Sequence, residues 1–474
     1  MAGAPPQRHL PTRRQTAWVV GWRLVGIATT FAANISVARL LGPAEFGSYL
    51  LVMTIIALGG LVGMAGLNEA ALRFIAASLA HEQHGLARAY LRRSLSVVAT
   101  ASLVAAVATS AGVVFFQWKT ARFHEPWLLI ALTALGVLAL AWQQVAAELL
   151  RGYGRLRLAS LFSGGQTGGP ISNLLLLIGI SAAAFTTVKL DATLAVALAV
   201  GSVAITFPLA LHRAWRTSQA NRSLANERST PLSAERNRQL LAVGGVLLLN
   251  QMLAFGGQQM DIWLGGALLA PEELGLYGAA KRSLLLAAMP VQMAMMTVMA
   301  TIPRLHAQDR PQELERIVRQ AANYAAVPAL LAIFLLTLFP ETMLRLAFGG
   351  SYTGAAPTVL VLAIGYLVLI LSGNPPYVLT MTGRHREVVV VNLIAAVALV
   401  VVGAIGAIWF GATGLAAGSA ASFALQNGLL WWLARRRLGV LTHVTLPFRF
   451  TASTPSASGM AIDSALVSAT APEA

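Results

Sequence analysis

Apolar stretches of about 20 residues recur along this chain from one end almost to the other, and no other feature limits its fold so tightly. Twelve can be read, at roughly 17–40, 47–69, 91–115, 127–149, 159–184, 191–213, 240–265, 275–301, 321–340, 357–381, 388–410 and 413–434. In hydrocarbon every backbone N–H and C=O must find a protein partner, so stretches of this length cross as helices. Composition agrees. The 474 residues are 57% hydrophobic and 11% charged, where a soluble domain carries about 25% charged residues. A soluble core has no need of a dozen such runs. The fold class is all-α: a polytopic membrane protein with about twelve transmembrane helices.

The net charge of +16 reflects orientation rather than a nucleic-acid partner, and none is expected. With the N-terminus in the cytoplasm, 26 of the 34 basic residues fall in cytoplasmic segments. The richest are Arg88–Arg93, Arg151–Arg157, Arg213–Arg238, Arg304–Arg319 and Arg435–Arg437. Basic residues stay on the cytoplasmic side and meet anionic lipid there, so both termini are placed inside. The apolar run after Arg13 and Arg14 is a full span, which reads as an uncleaved first span. The domains expected are a cytoplasmic tail (1–16), an N-lobe of spans 1–6 (17–213), a cytoplasmic linker (214–239), a C-lobe of spans 7–12 (240–434) and a largely disordered cytoplasmic tail (435–474). No extramembrane segment is long enough for a soluble enzymatic domain. The chain has no cysteine, which excludes disulfides and thiol chemistry. His81, His84, His124, His306 and His385 lack metal-ligand spacing, so no metal and no cofactor is expected.

Two connectors read alike. RLLGPAEFGSY at Arg39–Tyr49 and ALLAPEELGLY at Ala267–Tyr277 share Leu, Leu, Pro, Glu, Gly and Tyr in register, 228 positions apart. GRLR at Gly154–Arg157 and GRHR at Gly383–Arg386 keep nearly the same offset, as do Arg73 and Arg304. The chain is therefore two six-span halves of the same orientation, which implies a pseudo-twofold axis along the membrane normal and a site between the halves. Pro and Gly in each connector end one helix and turn the chain. The Glu two residues after Pro is expected to cap the next helix, and the Tyr to sit in the interfacial belt. SGGQTGGP at Ser163–Pro170 lacks the Gly-Lys-Ser/Thr ending of a phosphate loop and lies inside span 5, where it bends the helix. SGNPPY at Ser372–Tyr377 is expected to break span 10.

The connector followed by GLNEAALRFIA (Gly66–Ala76), its echo LLAPEELGLYGAAKR (Leu268–Arg282) and the six-plus-six layout resemble the polysaccharide-transporter, or Wzx-like oligosaccharide flippase, family. Its larger superfamily also holds the multidrug-and-toxin extruders and the lipid II flippases. The resemblance runs from about residue 15 to 440. It implies a two-lobed, V-shaped carrier working by alternating access in a bacterial inner membrane. Such a carrier moves undecaprenyl-diphosphate-linked oligosaccharide to the outer leaflet for surface polysaccharides such as O-antigen or exopolysaccharide. It implies as partners this substrate, membrane lipids and the polysaccharide polymerase machinery. Twelve spans rather than fourteen set the chain apart from the usual lipid II flippases.

Four charges fall at membrane depth, where they are costly and mark pathways: Arg23 in span 1, Asp261 in span 7, and Lys281 and Arg282 in span 8. Asp261 lies about 12 Å below one face and the two cations about 10 Å, so an ion pair is available. Adjacent residues point about 100° apart, so one cation can neutralise Asp261 and leave the other for a ligand. Three bases to one acid suit an anionic diphosphate head, bound by Arg23, Lys281 and Arg282. Asn34, Gln144, Asn250, Gln251, Gln258 and Asn374 are candidates for a glycan path. Glu69 with Arg73, and Glu148 with Arg151, are spaced as local pairs. The rival readings are a cation-coupled multidrug antiporter of the same superfamily, which would depend on Asp261, and a membrane glycosyl polymerase. The second would need a long outer catalytic loop, and the loops here are short.

Overall fold

The computed structural model describes residues 13–120, 126–164, 168–185, 190–223, 232–299 and 301–445, and among these it is built of helices. In the first half, α1 (Arg13–Gly63) holds spans 1 and 2 and breaks at Gly42. It is followed by the short α2 (Leu67–Ala80). Span 3 is α3 (His84–Thr120), span 4 is α4 (Pro126–Gly152), and span 5 is divided into α5 (Leu156–Phe162) and α6 (Pro170–Ala184). Span 6 is α7 (Ala192–Ser223).

The second half repeats this plan. Spans 7 and 8 are α8 (Ala234–Leu268) and α9 (Pro271–Val298), with α10 (Thr301–Ala307) after them. Span 9 is α11 (Pro311–Leu338), followed by α12 (Pro340–Ala347) and a 3-10 turn at Gly350–Ala355. Span 10 is α13 (Ala356–Ser372) with α14 (Pro375–Met381), and spans 11 and 12 share α15 (His385–Leu438), broken at Gly411. Eight segments are individually long and apolar enough to cross a membrane. Two of these, of 57 and 54 residues, hold two crossings each. Span 8 with its bent continuation and the divided span 5 complete the twelve.

The breaks follow from residue type. Gly42 has φ 75° and Gly411 φ 60°, a left-handed region that a side chain makes costly. The equivalent turns after spans 4 and 10 are made by Gly154 and Gly383, with φ 74° and 84°, as the matched motifs there suggest. Span 10 breaks at Gly373 and Asn374, both left-handed, before Pro375 starts the next helix. Residues 165–167 of the span 5 break lie outside the described residues.

One hydrophobic core joins both lobes at the end of the bundle that carries the two connectors, the connector end. At the opposite, arginine-rich end the packing divides. A cluster around α2, α4 and α5 belongs to the N-lobe, with Leu240 of α8 leaning on it, and two further clusters belong to the C-lobe. The lobes share a core at the connector end, and toward the other end α8 still touches the N-lobe: Gly66 lies against the Gly244 carbonyl, and Arg93 Nε donates to Asn237 Oδ1 at 2.6 Å. Past span 12, residues 439–445 fold back onto the C-lobe. Thr442 Oγ1 donates to the Ser372 carbonyl at 2.7 Å, and Asn323 Oδ1 accepts from the Thr445 backbone N–H at 2.9 Å. This strap secures the break in span 10.

Candidate functional site: the seam between the lobes

The duplicated connectors touch one another. A Cβ on Gly47 would fall 2.0 Å from the Pro271 carbonyl oxygen, and a Cβ on Gly275 would fall 1.9 Å from the Pro43 carbonyl oxygen. The contact is reciprocal, because positions 43 and 47 are the repeat equivalents of 271 and 275. Only glycine lets the two backbones meet this closely. Around this contact Phe46, Tyr49, Tyr277 and Tyr352 are all buried. The Tyr352 hydroxyl donates to the Ala38 carbonyl at 2.7 Å, and its ring meets Phe46 edge-on. Tyr49 and Tyr277, expected in the interfacial belt, are instead core residues of the seam. An aromatic ring at a two-lobe contact is desolvated on both sides, which outweighs its preference for the interface.

The connector glutamates also differ from expectation. Glu45 caps the N-terminus of span 6 rather than that of its own helix: its Oε2 accepts from the Ala192 backbone N–H at 2.8 Å. Glu273 stands in the equivalent place in the C-lobe, against Gly411 at the head of span 12. Each connector glutamate thus stands at the head of the last span of its own lobe, and Glu45 binds the positive end of that helix.

Span 2 packs along span 7 from the connector end inward. Trp263 Nε1 donates to Thr54 Oγ1 at 3.2 Å. Gln251 Nε2 donates to Glu69 Oε1 at 2.9 Å and to Asn68 Oδ1 at 3.3 Å. Glu69 therefore reaches across the seam, where a local pair with Arg73 was expected. The amide of the other lobe supplies the donor to this exposed carboxylate, while Arg73, also exposed, is left to face water and headgroups. Glu148 and Arg151 do pair, at 2.8 Å.

Of the four membrane-depth charges, two meet inside the C-lobe. Lys281 Nζ lies 2.7 Å from Asp261 Oδ1 and also donates to the Gln258 carbonyl at 2.6 Å. The Tyr277 hydroxyl donates to Asp261 Oδ2 at 2.5 Å and shares a contact of 2.8 Å with Ser419. The pair is neutral and well supplied with hydrogen bonds, which is the condition for a buried ion pair to be tolerated. It borders a cavity of about 180 Å³ lined by Gln258, Asn392, Ser419, Ser422 and Gln426 among others. Tyr277 is the residue that sequence reasoning missed here. Its recurrence in the duplicated connector was the available signal.

Arg282 points elsewhere. Its guanidinium lies 6.0 Å from the centre of the Phe46 ring of the N-lobe. Among the described residues it makes no ion pair and no hydrogen bond. It is a cation on the seam beside an aromatic face, with its planar fork of donors unpaired among the described residues. The backbone of Arg23 lies in α1, and its side chain is outside the described residues.

The proposed path residues are not gathered in one place. Gln251 is on the seam, Asn250 is exposed beside it, and Gln258 lines the C-lobe cavity. Asn34 is buried and donates to the Thr30 carbonyl one turn back, at 2.8 Å. Gln144 donates to the Gly164 carbonyl at the broken span 5, and Asn374 forms the break in span 10. Asn34 and Gln144 are thus each bonded to a main-chain carbonyl, and Asn374 takes the left-handed turn at the break.

Comparison with known proteins places this arrangement. No curated protein sequence matches the chain. Among solved structures it is similar to an inward-facing multidrug resistance MATE family transporter of the MOP superfamily, with TM-score 0.64 and 14% identity over 87% of this chain and 94% of that one. It is similar to the lipid II flippase MurJ in an inward closed conformation, with TM-score 0.63 and 11% identity over 89% and 87%. A MOP superfamily transporter from Pyrococcus furiosus gives TM-score 0.61 and 13% identity over 90% and 96%. These likenesses establish the fold of a two-lobed membrane transporter. The family described as "Polysaccharide biosynthesis protein" matches residues 14–308, and the chain, a multi-pass membrane protein of transporter fold, belongs to that family.

Proposed function

We propose that this protein is a flippase that carries undecaprenyl-diphosphate-linked oligosaccharide from the cytoplasmic to the outer leaflet of a bacterial inner membrane, by alternating access between its lobes. The product feeds cell-surface polysaccharide synthesis, and the polymerase machinery that extends it is a partner. The observation that carries the reading is Arg282: a guanidinium on the seam, facing the other lobe, with no carboxylate to neutralise it among the described residues. Such a group suits a diphosphate, which guanidinium binds in a fork, and repels a cationic drug. Lys281 is spent on Asp261, so Arg282, with Arg23 as a second candidate, meets the head.

In this reading the connector end faces outward and the arginine-rich end is cytoplasmic, with both termini there. The lobes share one core at the connector end, which supports a state closed on the outer side. The lipid tail stays in the bilayer while the glycan crosses between the lobes. An inside-negative potential favours outward movement of an anionic head by about 2.3 kcal/mol per charge per 100 mV, so no coupled ion is required.

A cation-coupled antiporter is the second reading. It is favoured by a buried carboxylate, Asp261, beside a polar cavity, and opposed by the lysine that already holds it. The test of the first reading uses sealed proteoliposomes and a labelled undecaprenyl-diphosphate oligosaccharide. Wild type is expected to flip it, Arg282→Ala to lose most of the rate, and Arg282→Lys to recover part. Equal rates in wild type and Arg282→Ala would remove Arg282 from the path.

A further inference from the structure

At the arginine-rich end of the N-lobe, Arg155, in the turn after α4, faces His212, Arg213 and Arg216 on the last turns of α7. With Leu158, Leu209 and Thr217 they line a cavity of about 530 Å³. A second recess, of about 460 Å³, opens beside it and is lined by residues 154–158. Among the described residues no acidic side chain contributes to either lining. Among the described residues Arg155, Arg213 and Arg216 make no ion pair. Elsewhere at this end Arg151, Arg310, Arg319 and Arg384 each face a glutamate, at 2.8, 3.1, 2.7 and 2.9 Å. Three guanidiniums converging on one cavity repel each other unless an anion joins them.

The approach to the cavity is apolar. Ile205 and Leu209 are exposed at 69% and 45%, two and one turns before Arg213 on the same face of α7. Trp215, also exposed, stands at the same level as the arginines, as a residue of the interfacial belt does. The face thus changes from aliphatic to cationic within one helical turn, at the depth where a lipid's chains give way to its phosphate.

We infer that Arg155, Arg213 and Arg216, with His212 and Thr217, form a binding site for the phosphate headgroup of an anionic phospholipid whose acyl chains lie along Ile205 and Leu209. The shared chemistry is a phosphate oxyanion. The apolar approach assigns the lipid rather than a soluble phosphate as its source. The site is separate from the seam that carries Arg282, and it does not depend on what the protein transports.

The test is native mass spectrometry of the full chain in detergent, titrated with phosphatidylglycerol or phosphatidylcholine. Wild type is expected to retain phosphatidylglycerol preferentially. Each arginine near a membrane phosphate contributes about fivefold, so Arg213→Gln loses about fivefold and the variant with Arg155, Arg213 and Arg216 all changed to Gln loses about 100-fold. Arg345→Gln, an exposed arginine of α12, is expected to bind as wild type does. The single variant keeps the test decisive if the triple variant misfolds. Equal retention by wild type and Arg213→Gln, or an equal loss in Arg345→Gln, would overturn the site. Displacement of the lipid by millimolar inorganic phosphate would overturn the lipid as its occupant.

Discussion

Replacing Gly275 by alanine tests the packing of the lobes most severely. The added Cβ falls 1.9 Å from the Pro43 carbonyl oxygen, and ordinary contact needs about 1.5 Å more. The obstacle is backbone in the first turn after Gly42, so no rotamer change relieves it. The connectors must separate, or α9 must bend away from α1. Overpacking of this kind costs about 1–3 kcal/mol. The cost applies only while the connector end is closed, so the equilibrium moves toward the open arrangement by about 5–150-fold. Gly47→Ala makes the reciprocal clash with the Pro271 carbonyl, and one separation of the connectors relieves both. The double variant is therefore expected to cost well under the sum of the two single ones. The chain has no native cysteine, so one cysteine introduced into each connector gives a clean cross-linking pair across the seam. Cross-linking is expected to fall several-fold in Gly275→Ala and little further in the double variant. Unchanged cross-linking in Gly275→Ala, or strictly additive losses, would refute the reciprocal contact.

Further expectations follow from single contacts. Asp261→Asn and Lys281→Met each leave one buried charge uncompensated and are expected to destabilise by about 3–5 kcal/mol, while Asp261→Asn with Lys281→Met costs much less than the sum; thermal unfolding in detergent reads the cycle. Glu45→Ala removes the cap on span 6 and is expected to cost about 1 kcal/mol, read in the same melts. His443 of the strap accepts from Trp431 Nε1, and burial, then the Arg319 charge, lowers its pKa. The folded strap binds fewer protons than the released one, so its docking is strongest above the ordinary histidine value of about 6.5 and weakens as pH falls through that value toward the lowered one. The protection factors of residues 439–445 against hydrogen exchange, corrected for the intrinsic pH dependence, are expected to fall from pH 7.5 to pH 5.5, and His443→Gln to flatten the change.

Much of this fold is legible in the sequence because its determinants are local. Span length, the arginine-rich turns and the glycine turns at 154 and 383 are all set by a few neighbouring residues. The contact between Asp261 and Lys281 follows from depths that can be counted along two helices. The seam was harder. Each connector alone looks like a turn, and nothing within eleven residues tells that its glycine meets a carbonyl of the other connector, in the opposite half of the chain. Duplication was the visible trace of that symmetry. For the same reason Tyr49 and Tyr277 looked interfacial, Glu45 looked like a cap for its own helix, and Glu69 looked like the partner of Arg73 rather than of Gln251. The amides expected along a sugar path lie in several places, because the same residue types also bond main-chain carbonyls, as Asn34 and Gln144 do.

The function proposed for the seam is to pass an anionic, lipid-linked head and not a cation. It is tested most directly by offering both cargoes to wild-type protein in the same sealed vesicles. A labelled undecaprenyl-diphosphate oligosaccharide is expected to reach the far leaflet, faster under a potential that draws anions that way, while a cationic dye is not moved. Uptake of the dye against a cation gradient, with the oligosaccharide left in its original leaflet, would contradict the account.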